Sequence, residues 1–189
     1  SHARRLNELA NHPSIDPWVR GYMVGRIDLT AAAENPANVL LVGRHGAIIF
    51  VQLHPGLYEP HSFCLVEGRG PWMKAFAAAC EHVVFCSTNC VEMLTRVPKG
   101  NLGARALVRS LGWTYEFRSE RGWVMEKDPV PADIFGLRLQ DWAKKAPGSA
   151  YNGNTTVTVS DKARGYETPR PEYAVTFTRP DAVRTYFTV

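Results

Sequence analysis

The sequence predicts a mixed α/β domain, a mostly antiparallel sheet flanked by helices. Three observations predict it. Short apolar runs separated by glycine- and proline-bearing turns occupy residues 38–66. A glycine-rich segment, Glu67-Gly68-Arg69-Gly70-Pro71, then leads into helical composition. A second helical stretch from Asn101 closes on Gly112, ahead of two further β-like runs.

Arg4 to Asn11 reads as a short amphipathic helix stopped by His12-Pro13. Trp18 to Ile27 is expected as a first strand, followed by a brief helix through Ala31-Ala32-Ala33. Asn38 to Val42 and Gly46 to Leu53 are apolar runs around the hairpin-like turn Gly43-Arg44-His45-Gly46. Tyr58 to Val66 reads as the next strand, after the break His54-Pro55-Gly56. Pro71 suits a helix's first turn, and Trp72 to His82 has helical composition. Val83 to Cys86 reads as a short buried strand. Asn101 to Leu111 is a helix, with Gly112 where a left-handed cap is wanted. Trp113 to Arg118 and Gly122 to Lys127 form a closing hairpin. Residues 1–128 are thus expected to be the core. Residues 129–189 read as a small β-rich appendage: a short helix from Phe135 to Lys144, then strands at Thr155 to Val159, Tyr173 to Thr178 and Arg184 to Val189.

The 189 residues suffice for one such domain, and 45 % hydrophobic with 21 % charged residues argues against disorder. No apolar run approaches the roughly 20 residues of a membrane helix, and no signal-peptide core follows the first residues, so the chain reads as cytoplasmic. A formal charge of +4 suits an anionic partner such as a CoA phosphate or a nucleic acid, although the basic residues are scattered. The cysteines at 64, 80, 86 and 90 sit mainly in apolar surroundings and read as reduced core thiols. His82, Cys86 and Cys90 are spaced four apart, but with no CxxC the expectation is no metal.

A strand running through a glycine loop into a helix presents free backbone N–H groups at the positive end of a helix dipole, a site for phosphate oxygens. Gly68 and Gly70 allow close approach, and Arg69 and Lys74 add charge. The bland alternative is a tight turn, for which glycine is the default residue.

The stretch Asn101-Leu102-Gly103-Ala104-Arg105-Ala106-Leu107-Val108-Arg109-Ser110-Leu111-Gly112-Trp113 resembles the element N-x-x-A-x-x-L-Y-x-x-L-G-F of the GNAT superfamily of N-acetyltransferases. Asn101, Ala104, Leu107, Leu111, Gly112 and Trp113 fall in register with it. Tyr58 to Phe63, Glu67 to Gly70 and Thr95 to Asn101 also resemble GNAT-like proteins of tailed phages. The resemblance covers about residues 20–127. It implies an acyl-CoA co-substrate, acetyl-CoA or a relative, held by Leu65, Val66, Gly68, Arg69, Gly70, Pro71, Trp72, Asn101 and Arg105. Three positions depart from the pattern. In the loop Glu67 stands where Gln or Arg is expected and Trp72 where a small residue is expected, and Val108 replaces the tyrosine that often protonates the departing CoA thiolate.

Acyl transfer to an amine needs a base near neutrality. His61 is the first candidate, with a buried structural histidine as its alternative. Glu59 shares its strand face. Tyr115 is a candidate acid, or an ordinary strand aromatic. Ser87 and Thr88 read as substrate-slot or turn residues, and a strand N–H near Leu65 as an oxyanion donor. Three functions remain open: an N-acyltransferase acting on a small primary amine, a phage enzyme acylating a nucleobase amine in DNA, and a non-catalytic GNAT-like structural or binding module. A basic face including Lys144, Lys145, Lys162, Arg164 and Arg170 would point to DNA.

Overall fold

The structure, a computed structural model, describes residues 2–145. Helices α1 (His2–Ala10), α2 (Asp16–Val19) and α3 (Thr30–Glu34) precede β1 (Val39–Gly43), β2 (Gly46–His54) and β3 (Leu57–Cys64). A 3₁₀ turn (Val66–Gly68) leads to α4 (Pro71–Ser87), β4 (Glu92–Pro98), α5 (Leu102–Ser110), β5 (Thr114–Met125), β6 (Asp128–Arg138) and α6 (Leu139–Lys145). The six strands form one sheet in the order β1-β2-β3-β4-β6-β5. All neighbours are antiparallel except β3 and β4. Among the described residues no helix is long and apolar enough to cross a membrane.

Alternation along β2 supplies both cores. Ile48 and Phe50 join Phe85, Met93, Phe135 and Leu137 beneath α4, α5 and α6. Ala47 and Ile49 join Leu6, Leu9, Ile27 and Phe63 beneath α1 and the segment after it. Period-2 patterning therefore yields a sheet covered on both faces.

Four expectations are corrected. Trp18 to Ile27 is not a strand. Asp16-Pro17 starts the short helix α2, and Gly21 and Gly25 then take φ of +56° and +75°, which a strand cannot include. Val83 to Cys86 is the last turn of α4, where Val84 and Phe85 are fully buried and Thr88 closes the end by donating from its N–H and Oγ1 to Val84 O. Burial of an apolar stripe outweighs the β preference of the valines. The strand between the two helices is instead β4, whose polar residues Glu92, Thr95 and Arg96 disguise it.

The expected hairpin of Trp113 to Arg118 with Gly122 to Lys127 is a single strand, β5, kinked between Ser119 and Trp123. A Cβ on Gly122 would come within 2.8 Å of the Ala132 Cβ, so glycine is required at that kink. The chain turns at Glu126 and Lys127, with φ of +49° and +71°. The hairpin partner β6 lies past the boundary expected at Asp128, yet it sits between β4 and β5. The sheet thus continues beyond that position. The helix expected from Phe135 starts only at Leu139, because Phe135 and Leu137 pair with Thr95 and Met93 of β4. The strands expected from residue 155 onward lie outside the described residues.

Glu81 is buried on α4 and accepts a hydrogen bond from Trp113 Nε1 at 2.7 Å. Burial pushes its carboxyl up to about 8, and the indole bond offsets only part of this. A carboxyl whose folded pKa is raised binds its proton more tightly in the native state. The stability that this proton confers is full below the ordinary value of 4.5 and is lost as pH rises toward 8. Glu81→Gln, which mimics the neutral acid, is expected to raise Tm at pH 8 and leave it nearly unchanged at pH 4.5. Scanning calorimetry at the two pH values measures this difference.

Candidate active site

The parallel strands β3 and β4 pair only at Leu57↔Glu92 and Tyr58↔Met93. Beyond that point they splay. Side chains bridge the gap: Arg96 donates from Nε and Nη2 to both oxygens of Glu59 at 2.8 and 2.6 Å, and Thr95 Oγ1 donates to Pro60 O at 3.3 Å. Pro60 lacks an N–H to offer, which suits a strand edge that has lost its partner. Main-chain groups alternate sides along a strand. Since Pro60 O faces β4, the N–H groups of Ser62 and Cys64 face the opening as well. The Leu65 N–H faces the other way and donates to His45 O at 2.9 Å. Of the strand N–H groups near Leu65, that of Leu65 itself is taken by His45 O, whereas those of Ser62 and Cys64 face the opening.

A cavity of about 650 Å³ occupies the splay. Ser62, Cys64 and Met73 line it from β3 and α4. Gly100, Asn101, Leu102, Ala104 and Leu107 form the α5 wall, and Ser14, Ile15, Trp18 and Val19 form the opposite wall at α2. α2 is tied at both ends. Arg69 Nη2 donates to Ser14 O at 3.3 Å, and Trp123 Nε1 donates to Trp18 O at 2.9 Å. Trp123 lies in the β5–β6 hairpin where it overhangs the end of β4, which pairs with β6 only as far as Pro98↔Ala132. The hairpin tip thus reaches α2 across the open end of the splay.

One end of the cavity is built for an anion. Gly70 stands at the head of α4 with φ +87°, and a Cβ there would meet nothing within 4 Å. Pro71 occupies the first helical position, where no donor is lost, and the first-turn N–H groups lack helical acceptors. Arg69 and Lys74 line the same end. Glu67, a departure from the expected loop, is exposed and off the cavity wall.

The expected coenzyme residues divide accordingly. Arg69, Gly70 and Asn101 line the cavity, and Pro71 starts the helix beside it. Gly68 is a packing position, because a Cβ there would lie 2.5 Å from His45 Cβ and 3.0 Å from Trp72. Trp72 stacks on Phe76 at 4.9 Å and meets His45 edge-on, off the cavity wall. Leu65 packs against the α1 side of the core, and Val66 is exposed. Arg105 turns to the opposite edge of α5 and pairs with the buried Asp133 at 2.6 Å.

Of the acid–base candidates, Glu59 is buried and committed to Arg96. His61 lies on the same face of β3, with its ring centroid 6.2 Å from that of Trp123 and its Nε2 3.9 Å from Glu59 Oε2. Burial lowers its pKa below the ordinary 6.5, opposed by Glu59 and reinforced by Arg96. The imidazole is therefore neutral at pH 7 and able to accept a proton. Tyr115 is exposed on β5 against Phe135 and does not line the cavity. Val108 is buried in the core. Ser87 ends α4 and Thr88 caps it, away from the cavity wall. Cys64 lines the cavity, but burial pushes its thiol up to about 11, so it is no thiolate at neutral pH. Cys86 Sγ lies 3.8 Å from His82 Nδ1, whereas Cys90 Sγ donates to Glu92 O. Of the basic residues expected on a nucleic-acid face, Lys145 donates to Gly112 O and Lys144 pairs with Asp141. Lys162, Arg164 and Arg170 lie outside the described residues.

The residues that sequence reasoning missed are those of the α2 wall. A four-residue helix carries no periodicity to detect, and nothing local says that it will face a strand 45 residues away.

Several solved acetyltransferases share this architecture. A probable acetyltransferase aligns with a TM-score of 0.60 and 16% identity over 74% of this chain and 89% of its own. Mycobacterium smegmatis RimJ, in complex with CoA-disulfide, gives 0.60 and 16% over 78% and 79%. Spermidine N-acetyltransferase from Vibrio cholerae, in complex with CoA and spermine, gives 0.60 and 11% over 74% and 91%. The fold is the GNAT fold. No protein-family model matches the sequence, and no curated protein matches it.

Asn101 has a structural use: its Oδ1 accepts the Ala104 N–H at 3.0 Å as the N-cap of α5. Its Nδ2 remains a donor at the cavity wall. Asn101→Ser keeps a capping oxygen but is too short to present the amide donor. Its Tm is expected to stay near that of the parent, while the Kd for acetyl-CoA rises a few-fold to tenfold, the range of one neutral hydrogen bond of about 1 kcal/mol. Thermal melts and calorimetric titration give the two readings. An unchanged Kd makes Asn101 a cap alone.

Proposed function

We propose that this chain is an acyl-CoA-dependent N-acyltransferase that moves an acetyl group from the CoA thioester to a primary amine by direct attack in a ternary complex. The observation that carries the proposal is the cavity where β3 splays from β4, with Gly70, Arg69 and Lys74 on its wall; His61 lies on β3 beside Trp123, off that wall. The CoA phosphates fit the first-turn N–H groups of α4 with Arg69 and Lys74. The pantetheine arm fits the channel past Asn101, and the N–H groups of Ser62 and Cys64 suit the oxyanion.

The amine lone pair attacks the thioester carbonyl carbon, forming the C–N bond and breaking the C–S bond. His61 takes the proton released from nitrogen. The sulfur departs as a thiolate, tolerable without an acid because a free thiol ionises near pH 8.5. That accommodates Val108 in place of a tyrosine. A relay through an acylated cysteine is disfavoured by the protonated state of Cys64, the one thiol lining the cavity among the described residues. Glu59 serves as a positioning residue, since both of its oxygens are taken by Arg96. Acylation of a nucleobase amine, the phage-enzyme reading, gains no observation: of the basic residues named for its face only Lys144 and Lys145 are described, Lys144 paired with Asp141 and Lys145 donating to Gly112 O.

The deciding experiment is calorimetric titration with acetyl-CoA, followed by mass spectrometry of amines incubated with enzyme and coenzyme. Micromolar binding and a gain of one acetyl group support the proposal; a folded protein that binds no coenzyme is the non-catalytic module. His61→Gln is expected to lower kcat by roughly 10²- to 10⁴-fold with the coenzyme Kd unchanged. In the parent, kcat/KM should fall on the acid side with a midpoint below 6.5, because the pKa of His61 is lowered and its base form survives to lower pH. A midpoint above 6.5 would assign the base elsewhere.

A further inference from the structure

A site that brings a basic amine to a thioester has to manage positive charge, and this one offers little to attract it. Among the described residues lining the cavity there is no aspartate or glutamate, while Arg69 and Lys74 are both present. The carboxylates on the surrounding elements are committed or face solvent. Glu59 of β3 has both oxygens on Arg96 at 2.8 and 2.6 Å. Asp16 of α2 holds the Arg20 guanidinium through both of its oxygens. Glu67 of the 3₁₀ turn and Glu120, Glu126 and Asp128 of the hairpin are exposed. The α2 wall is Ser14, Ile15, Trp18 and Val19, and Trp123 closes on it through the bond to Trp18 O.

We propose that the acceptor is a primary amine carried by an aliphatic or aromatic group with no second positive charge, its apolar part seated against Ile15, Trp18 and Val19. This inference rests on the acyltransfer reading above and names the substrate class of the same site. A desolvated ammonium with no counter-ion gives up its proton more readily, which delivers the neutral nucleophile that acyl transfer requires. An indole face can attract the one entering cation. A second ammonium on the same molecule meets no carboxylate among the described residues that line the cavity. Its desolvation is therefore uncompensated. An apolar substituent gains from the same wall by area burial. Polyamines are thus poor acceptors here, and aromatic or branched aliphatic monoamines are good ones.

The test uses the full chain with acetyl-CoA and compares initial rates for phenethylamine and spermine at pH 8. Calorimetry with acetyl-CoA comes first, since loss of coenzyme binding would overturn the acyltransferase reading itself. With coenzyme bound, kcat/KM for phenethylamine is expected to exceed that for spermine at least tenfold. Trp18→Ala is expected to raise KM for phenethylamine several-fold and leave the acetyl-CoA Kd unchanged. Val19→Glu, at a half-buried position that lines the cavity and also packs against the α1-side core, supplies the missing carboxylate and is expected to shift the ratio toward spermine at least tenfold. Coenzyme binding accompanied by equal or greater turnover of spermine, or by no turnover of phenethylamine, overturns the inference while leaving coenzyme recognition intact. A Val19→Glu protein that is folded and shows the parent's ratio also counts against it.

Discussion

The bidentate contact between Glu59 and Arg96 stands where two neighbouring strands stop being a sheet. β3 and β4 share only their first residues, and a parallel pair left to itself would continue to zip. A guanidinium and a carboxylate placed between the strands span more width than a backbone hydrogen bond, so they hold the gap open at a defined breadth. Glu59 is buried but the Arg96 side chain is 46 % exposed, so attraction partly screened by solvent is set against the cost of desolvating the carboxylate, and the contact is better understood as a device for shape than as a source of stability. It also takes both oxygens of Glu59. A carboxylate that holds the strands apart with both oxygens is poorly placed to collect protons.

The opening divides the labour between the two faces of the sheet. On one face α4 and α5 converge with an uncapped helix start and an asparagine cap, giving backbone donors and little side-chain charge. On the other, α2 and the β5–β6 hairpin meet across the gap, joined by the Trp123–Trp18 bond. The second ion centre performs a similar service for α5: Asp133 on β6 receives Arg105 from that helix and Arg118 from β5. The arginine that resembles a coenzyme contact in the sequence thus anchors the helix that presents Asn101. Its recruitment depends on β6 lying between β4 and β5.

Local signals in the chain were sufficient for the parts whose causes are local. The hairpin of β1 and β2, the proline at the head of α4, the glycine with positive φ before it and the capped helix from Asn101 to Gly112 each follow from residues within a few positions of one another. The errors share one cause. Val83 to Cys86 has strand composition but completes a helix whose apolar stripe the sheet buries. Trp113 to Lys127 contains a kink that reads as a turn until Ala132 is known to lie against Gly122. Pro129 and Pro131 suggest an ending, yet they belong to a strand whose far end pairs with both neighbours.

By itself the sequence determined the α/β class, the glycine-to-helix junction and the candidacy of His61, because periodicity, capping and side-chain chemistry act over short range. The tertiary structure decided the order of the strands, the width of the splay and the α2 wall of the cavity. Those depend on contacts between residues 37 apart, as with Glu59 and Arg96, or 105 apart, as with Trp18 and Trp123. No local preference encodes such contacts. Whether an arginine meets a phosphate or a buried aspartate, and whether a glutamate acts as base or as brace, is settled only once the chain has brought its distant partner into place.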